Sequence, residues 1–502
     1  MNKVKLLFPA LLLLQLLTWA QSDNQPSSKT PAGKASAAQK SPATGERPRS
    51  WEQVPIPALR PFRPQEPRRL ELPNGMVIFL QEDHELPLID GTIRIRGGSR
   101  EEPADKVGMV SMYAEVWRTG GTKNKTGDEL DDFLEAHAAR VEASENIDST
   151  FLSWSSLKEN FDQVFPVVLD LLEHPEFRQD KIDLARQQFT SLISRRNDDL
   201  DEIAGRESAK LAYGVESPYA RTPEYYTISA ITRDDLLQWH QRTIVPNNMI
   251  LGITGDFDSA AMEQRLRQAF GNMPRTAPIQ PPQAAFHEPK PGIYFVEKND
   301  VNQSEIHMVE LGTERRNPDF YAIEVMNQLF GGGFSSRLFA NIRTRQGLAY
   351  SVGGGVGTNY DHPGITRIAM GTKSGSTAAG IEALRKEMTD LITGHVKEDE
   401  LKKAKDAILN SFIFEFDSKE KVLAERMRYE FYSYPPDFLE RFRAGIEKVT
   451  PADVDRVARK YIHPEKMAVL VVGNSKDFDR ELATFGHVTT IDISIPQQKP
   501  GK

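Results

Sequence analysis

Two stretches of this chain repeat one order of apolar and polar positions. Residues 231–258, "ITRDDLLQWHQRTIVPNNMILGITGDFD", align without a gap with residues 449–476, "VTPADVDRVARKYIHPEKMAVLVVGNSK", at an offset of 218. Thr232 meets Thr450, Asp235 meets Asp453, Pro246 meets Pro464, and Gly255 meets Gly473. Each stretch predicts a threonine-capped helix, a proline break and a buried strand that ends at glycine. Upstream, "IDGTIRIRGGSREEPADKVGMVSMYAEVW" and "SEIHMVELGTERRNPDFYAIEVMNQLFGG" both give an alternating strand, a turn, a polar gap and an apolar helix, at an offset near 214.

The pattern predicts an internal duplication, with halves at 66–275 and 291–490 and a proline-rich linker over 276–290. Long helices follow the strands without strict alternation. The expected fold is therefore α+β, each half a mostly antiparallel sheet with helices packed on one face. Helices are expected over 127–140, 159–173, 180–213, 377–394 and 397–412, with caps at Thr126 and Ser156.

Composition adds compartment and class. Residues 1–21, "MNKVKLLFPALLLLQLLTWAQ", place Lys3 and Lys5 before a short leucine-rich run and read as an export signal cut near Ala20. Residues 22–50 contain no aromatic residue and no Leu, Ile or Val, so a disordered tether is expected there. The chain has no cysteine, which excludes disulfides, thiolate metal sites and a thiol nucleophile. The first 50 residues hold seven Lys/Arg and two acids, so the net charge of −8 for the whole chain becomes −13 for the remainder. So acidic a body argues against nucleic-acid binding, and no later apolar run approaches the ~20 residues of a membrane span. A periplasmic or secreted location is expected.

Candidate chemistry is sparse. The ten histidines include no pair at helical spacing, and His84, His137 and His174 read as surface or satisfied histidines. Asp198, Asp199, Asp201 and Glu202 read as a solvated helix face. "GGGVG" at 353–357 lacks the lysine and strand-to-helix context of a phosphate loop. Gly331, Gly332 and Gly333 form a turn after which Ser335 is placed to cap a helix. "GMVSMYAEVWRTGGT", 108–122, predicts a buried helix with a glycine exit.

Four segments taken together, "LPNGMVIFLQEDHELPLIDGTIRIRGGSREEP", "EHPEFRQDKIDLARQQF", "SPYARTPEYYTISAITRDDLLQWHQRTIVPNNMILGITGDFD" and "GGGFSSRLFANIRTRQGLAYSV", resemble the pitrilysin, or insulinase, zinc metallopeptidases in their processing-peptidase branch. The resemblance implies two homologous domains per chain, paired with a second chain into a shell around an unfolded peptide. It also implies an H-x-x-E-H helix, whose two histidines bind zinc and whose glutamate serves as base. In this chain those positions fall on Ser111, Ala114 and Glu115. The region expected to supply the third ligand, Ala185 to Arg196, has no carboxylate. No metal is therefore expected in this chain, and zinc is expected in a homologous partner subunit.

The same resemblance makes Arg343 and Tyr350 the residues that reach toward the partner's zinc, hold the peptide and stabilise the oxyanion. It places substrate contacts at the glycine turn 331–333 and at the strand carrying Ala143, where Glu142 replaces the family's usual asparagine. The leading expectation is a non-catalytic, substrate-binding subunit of an exported heterodimeric zinc peptidase acting on unfolded peptides. The alternatives are an assembly protein that keeps the shell fold, and a peptidase with unrecognised metal ligands.

Overall fold

A computed structural model describes residues 64–497 of the chain. The expected signal and tether lie outside the described residues. The repeat seen in the sequence appears as two six-stranded sheets. The first is built from β1 (Arg68–Glu71), β2 (Val77–Glu82), β3 (Leu88–Arg96), β4 (Arg140–Glu145), β5 (Ser149–Leu157) and β6 (Met249–Gly255), in the order β1-β2-β6-β3-β5-β4. In the second half come β7 (Gly292–Glu297), β8 (Gln303–Leu311), β9 (Thr313–Glu314), β10 (Ala349–Gly355), β11 (Thr358–Asn359), β12 (Ile365–Lys373), β13 (Ala468–Gly473) and β14 (Val488–Thr490). The second sheet reads β14-β7-β13-β8-β12-β10, and β9 and β11 form a small separate ladder.

Five strands of each sheet correspond in order, direction and register. Asp90 pairs with Thr254 in the first sheet and Glu305 with Val472 in the second, so strands offset by 215 and by 218 residues keep the same pairing. β2 runs parallel to β6 and β7 to β13, and the remaining pairs among these strands are antiparallel. The sixth strand breaks the correspondence. β1 precedes β2 and runs antiparallel to it, whereas β14 comes from beyond β13 and runs parallel to β7.

Alternation along the strands sorts side chains to two faces. Ile89, Ile93 and Ile95 of β3 join Ile78, Leu80, Leu152 and Leu251 in the first core, beneath helices that include Met109–Thr119 and Phe161–Glu173. Ile306, Met308, Ile368, Met370 and Val471 form the second core. The other face of each sheet is apolar only where a helix from the opposite half covers it. Leu423, Met427 and Phe431 of helix Lys419–Phe431 pack on Phe79 and Ile250 of the first sheet. Ile203 and Ala204 of helix Leu200–Tyr213 pack on Val296, Leu470 and Val472 of the second.

The fit is close. A Cβ at Gly252 would lie 2.3 Å from the Met427 sulfur, so the missing side chain is the groove that Met427 fills. Polar contacts tie the same helix down. Arg94 donates to Asp148 at 3.1 Å and stacks over Phe431 at 3.7 Å, and the Tyr432 hydroxyl donates to the other oxygen of Asp148. On the reciprocal side the Tyr213 hydroxyl donates to the Pro363 carbonyl at 2.8 Å.

Several expected boundaries shift for local reasons. Helix Gly127–Ala136 starts at the Thr126 cap but stops short of 140, because Ala138 takes a φ of 48° and the chain turns into β4. Ser156 caps nothing and sits buried within β5. The expected 180–213 helix is two, Gln179–Arg195 and Leu200–Tyr213, because Asp199 accepts from the Glu202 amide at 3.0 Å and caps a new helix. Ser336 rather than Ser335 stands at the start of the turn after the glycines, its Oγ 3.4 Å from the Phe339 amide. The 276–290 segment has no regular structure, yet it is held in place by buried Ile279 and by Phe286, which packs among Tyr213, Tyr219 and His362. Among the described residues no helix is long and apolar enough to cross a membrane.

The exchanged packing predicts an effect across the repeat. Met427→Ala should lower global stability by about 2–5 kcal/mol, the cost of a large-to-small change at a well-packed site. It should also raise amide exchange in β2 and β6, more than 170 residues away in sequence. Hydrogen exchange by mass spectrometry checks this; faster exchange confined to 419–431 would show that the first sheet does not depend on the helix.

Candidate functional site

Helix Met109–Thr119 packs on the first sheet beside its edge strand β4 and is anchored on its buried side. The Tyr113 hydroxyl donates to His240 Nδ1 at 2.8 Å, and His240 Nε2 donates to the Leu172 carbonyl at 2.8 Å. Burial holds this histidine neutral by pushing its pKa down to about 4. Trp117 donates to the Leu171 carbonyl at 2.7 Å, and buried Arg118 donates to the Val141 carbonyl of β4 at 2.9 Å. At the helix start Glu102 accepts from the amides of Gly108 and Val110, at 2.9 and 3.1 Å.

The face turned toward β4 carries Ser111, Ala114 and Glu115. Ser111 donates to Glu145 at 2.7 Å, and Ala114 is buried with nothing to offer a metal or a proton. Glu115 has an exposed carboxylate whose pKa is raised by desolvation and by the like charge of Glu142 on β4. Ala143 lies between Glu142 and Ser144 and packs partly into the first core. In helix Gln179–Arg195, Ala185 is buried where a third ligand is expected. Arg196, just beyond it, is engaged with the Pro223 carbonyl at 2.8 Å and Glu224 at 2.9 Å. A zinc site needs at least three nitrogen, sulfur or oxygen donors that converge. Ser111, Ala114, Glu115 and Ala185 provide one carboxylate and do not fit that ion.

The corresponding place in the second half is chemically open. Helix Phe320–Phe330 ends at Gly331, where a Cβ would lie 2.2 Å from the Gly354 carbonyl of β10, so glycine lets the turn touch the strand. Gly332 lies against Gln328, and a Cβ at Gly333 would meet the Gln328 side chain only at an ordinary 3.6 Å. The chain then enters a π-helical segment, Phe339–Arg345. Wide turns of that kind recur at functional sites. Its neighbours are tied down: Arg337 is bidentate on Glu400 at 3.1 and 2.9 Å, and Arg345 donates to Asn341 at 2.8 Å.

Arg343 is exposed and makes no ion pair among the described residues; its guanidinium lies 4.7 Å from the centre of the Phe339 ring. Tyr350, on the edge strand β10, is 51% exposed, and its hydroxyl has no hydrogen-bond partner among the described residues. Phe334, 72% exposed, meets Phe339 edge-on at 4.9 Å. The sequence reading missed Phe334 and Phe339, though an aromatic residue directly after three glycines was a visible signal. Among the described residues, no hydrogen bond or ion pair joins this group to the Ser111 region. His84, His137 and His174 each have a protein partner, Asp256, Gln163 and Asp170 respectively.

Comparison with known proteins places this geometry. Residues 78–214 match the family model described as insulinase (peptidase family M16), and residues 230–408 match the one described as peptidase M16 inactive domain. A Helicobacter pylori protein named as the non-peptidase homolog YmxG is 23% identical over 410 residues, 80% of this chain and 92% of the relative. The Bacillus subtilis protein called uncharacterized zinc protease YmxG is 22% identical, over 80% of this chain and 98% of its own length. The fold matches the crystal structure of a peptidase M16 inactive domain from Pseudomonas fluorescens with a TM-score of 0.73 at 22% identity, covering 82% of this chain and 98% of that one. With both of its repeated halves matched by models of one family, the chain belongs to peptidase family M16, and its sequence contains no H-x-x-E-H.

Proposed function

We propose that this chain is the non-catalytic, substrate-binding subunit of an exported, heterodimeric zinc metallopeptidase that acts on unfolded peptides. One contrast carries the reading: the helix that holds zinc in active relatives has become a packing element, while Arg343 and Tyr350 stay exposed and uncommitted beside the glycine turn. A guanidinium fork suits a peptide carbonyl or carboxylate, and a phenol hydroxyl suits a developing oxyanion. In the proposed pair the homologous partner supplies zinc and general base, and this chain supplies Arg343, Tyr350 and the 331–333 turn. The name of the Helicobacter pylori relative, a non-peptidase homolog, supports the absence of independent catalysis. The leader-like first 21 residues support export.

The isolated chain should cleave no unfolded peptide, with or without added zinc, because Ser111 and Ala114 supply neither ligand nor base and Glu115 alone cannot form a zinc site. Activity should appear on mixing with a homologous subunit that carries H-x-x-E-H, and a chelator should abolish it. Peptidase turnover by the isolated chain would overturn the proposal.

Within the assembled pair, Tyr350→Phe should cost roughly 10²-fold in turnover, the scale for one oxyanion donor, with assembly unchanged. Arg343→Ala should weaken peptide binding by about 1.5–3 kcal/mol, the size of a charge-assisted hydrogen bond. Glu115→Gln should change neither. Steady-state kinetics decide the matter: wild-type turnover and peptide affinity in both Tyr350→Phe and Arg343→Ala would favour the assembly-protein reading.

A further inference from the structure

Away from helix Met109–Thr119, a second group of side chains converges on the polar part of the second sheet. Glu305 and His307 project from the same face of β8, and Asp201 reaches them from the first turn of helix Leu200–Tyr213. One oxygen of each carboxylate and one ring nitrogen of His307 lie within 4.8 Å of one another. Among the described residues this is the only group of three or more such side chains with that convergence.

Each member is held as a ligand would be. His307 is 2% exposed. Its Nδ1 lies 3.3 Å from the Ser208 hydroxyl, and its Nε2 lies 4.0 Å from Asp201 Oδ1, too far for a hydrogen bond and close enough to share an ion. Partnering of one ring nitrogen is what fixes a metal-binding imidazole and aims the other. Glu305 is half-buried, and among the described residues no hydrogen-bond donor meets its carboxylate. Burial, then Asp201, then Asp199, push its pKa up to about 7. Room for this carboxylate comes from the strand opposite: Gly371 of β12 pairs with Glu305, and a Cβ there would lie 2.6 Å from Glu305 Oε1.

The charge around the group is unbalanced. Arg367 of β12 faces the same cluster with its Nε buried and unpartnered, so one guanidinium stands against the three carboxylates Asp199, Asp201 and Glu305. Repulsion of the half-buried Glu305 carboxylate by the exposed carboxylates of Asp201 and Asp199 is relieved by a bound cation.

We infer that Asp201, Glu305 and His307 form a binding site for a divalent transition cation, with Zn²⁺ as the best match to one imidazole nitrogen and two carboxylate oxygens. Water completes the coordination. Asp201 belongs to the first half of the chain and the other two ligands to the second, so the ion ties the exchanged helix to the sheet it covers. The site departs from the expectation that this chain holds no metal, and it is independent of the zinc assigned above to the partner. About a hundred residues separate Asp201 from Glu305, so no spacing motif announces it.

The test uses the full chain, stripped with a chelator and dialysed, and titrated with Zn²⁺ by calorimetry, alongside thermal unfolding with and without the ion. The wild type should take up one ion at this site and unfold at higher temperature when loaded, since a ligand of the native state stabilises it. Asp201 is exposed, so Asp201→Asn should fold normally and lose more than about tenfold in affinity, given that even an outer-shell partner is worth about 10- to 100-fold. Glu305→Gln should lose the same binding while remaining at least as stable as the stripped wild type. His395, paired with Asp455 at the surface, is the control, and His395→Ala should bind as the wild type does. No uptake by the wild type, or wild-type affinity in both Asp201→Asn and Glu305→Gln, would overturn the inference.

Discussion

The structure rests on an exchange of helices between two halves of one chain. Neither sheet can leave Phe79 and Ile250, or Val296, Leu470 and Val472, facing water, and in each case the cover comes from the other repeat. At about 25 cal/mol per Å² of apolar surface removed from water, each large side chain in these contacts contributes about 1.5–3 kcal/mol. The exchange fixes the mutual placement of the two sheets as firmly as their own cores are fixed. Only part of each face is covered. β3, β5 and β4 in one sheet, and β8, β12 and β10 in the other, present polar residues such as Thr92, Glu305 and Arg367 beyond the helix.

That arrangement explains how a helix can lose its chemistry and keep its place. Tyr113, Trp117 and Arg118 bind Met109–Thr119 to the carbonyls of Leu171 and Val141 and, through His240, to that of Leu172. None of these contacts involves Ser111 or Glu115. Side chains on the β4 side are therefore not part of this anchorage, and Ser111 there donates to Glu145.

The duplication and the mostly antiparallel sheets were legible because alternation and the 218-residue offset are local, ungapped signals. That Ser111 and Ala114 offer no imidazole or carboxylate was legible because it depends on residue identity alone. Three things were not. The break at Arg196 to Asp199 looked like helix because its residues tolerate one, and only the Asp199 cap divides it. The exchange of helices was invisible because a helix with an apolar stripe does not say which sheet it covers. The Asp201, Glu305 and His307 group was invisible because the exchange brings those residues together.

The sixth strands carry a further consequence. Since β1 and β14 differ in direction and in chain position, the repeated unit is five-stranded, and each half acquired its own strip to close the β2 or β7 border. The opposite borders, β4 and β10, have no such closure. Unpaired borders invite other extended chains to continue the ladder, and charged side chains discourage it. β4 carries Arg140, Glu142 and Glu145, whereas β10, "AYSVGGG", carries no charge at all. Charge thus guards the β4 border and not the β10 border, which leaves the β10 border with less than β4 to discourage an added strand.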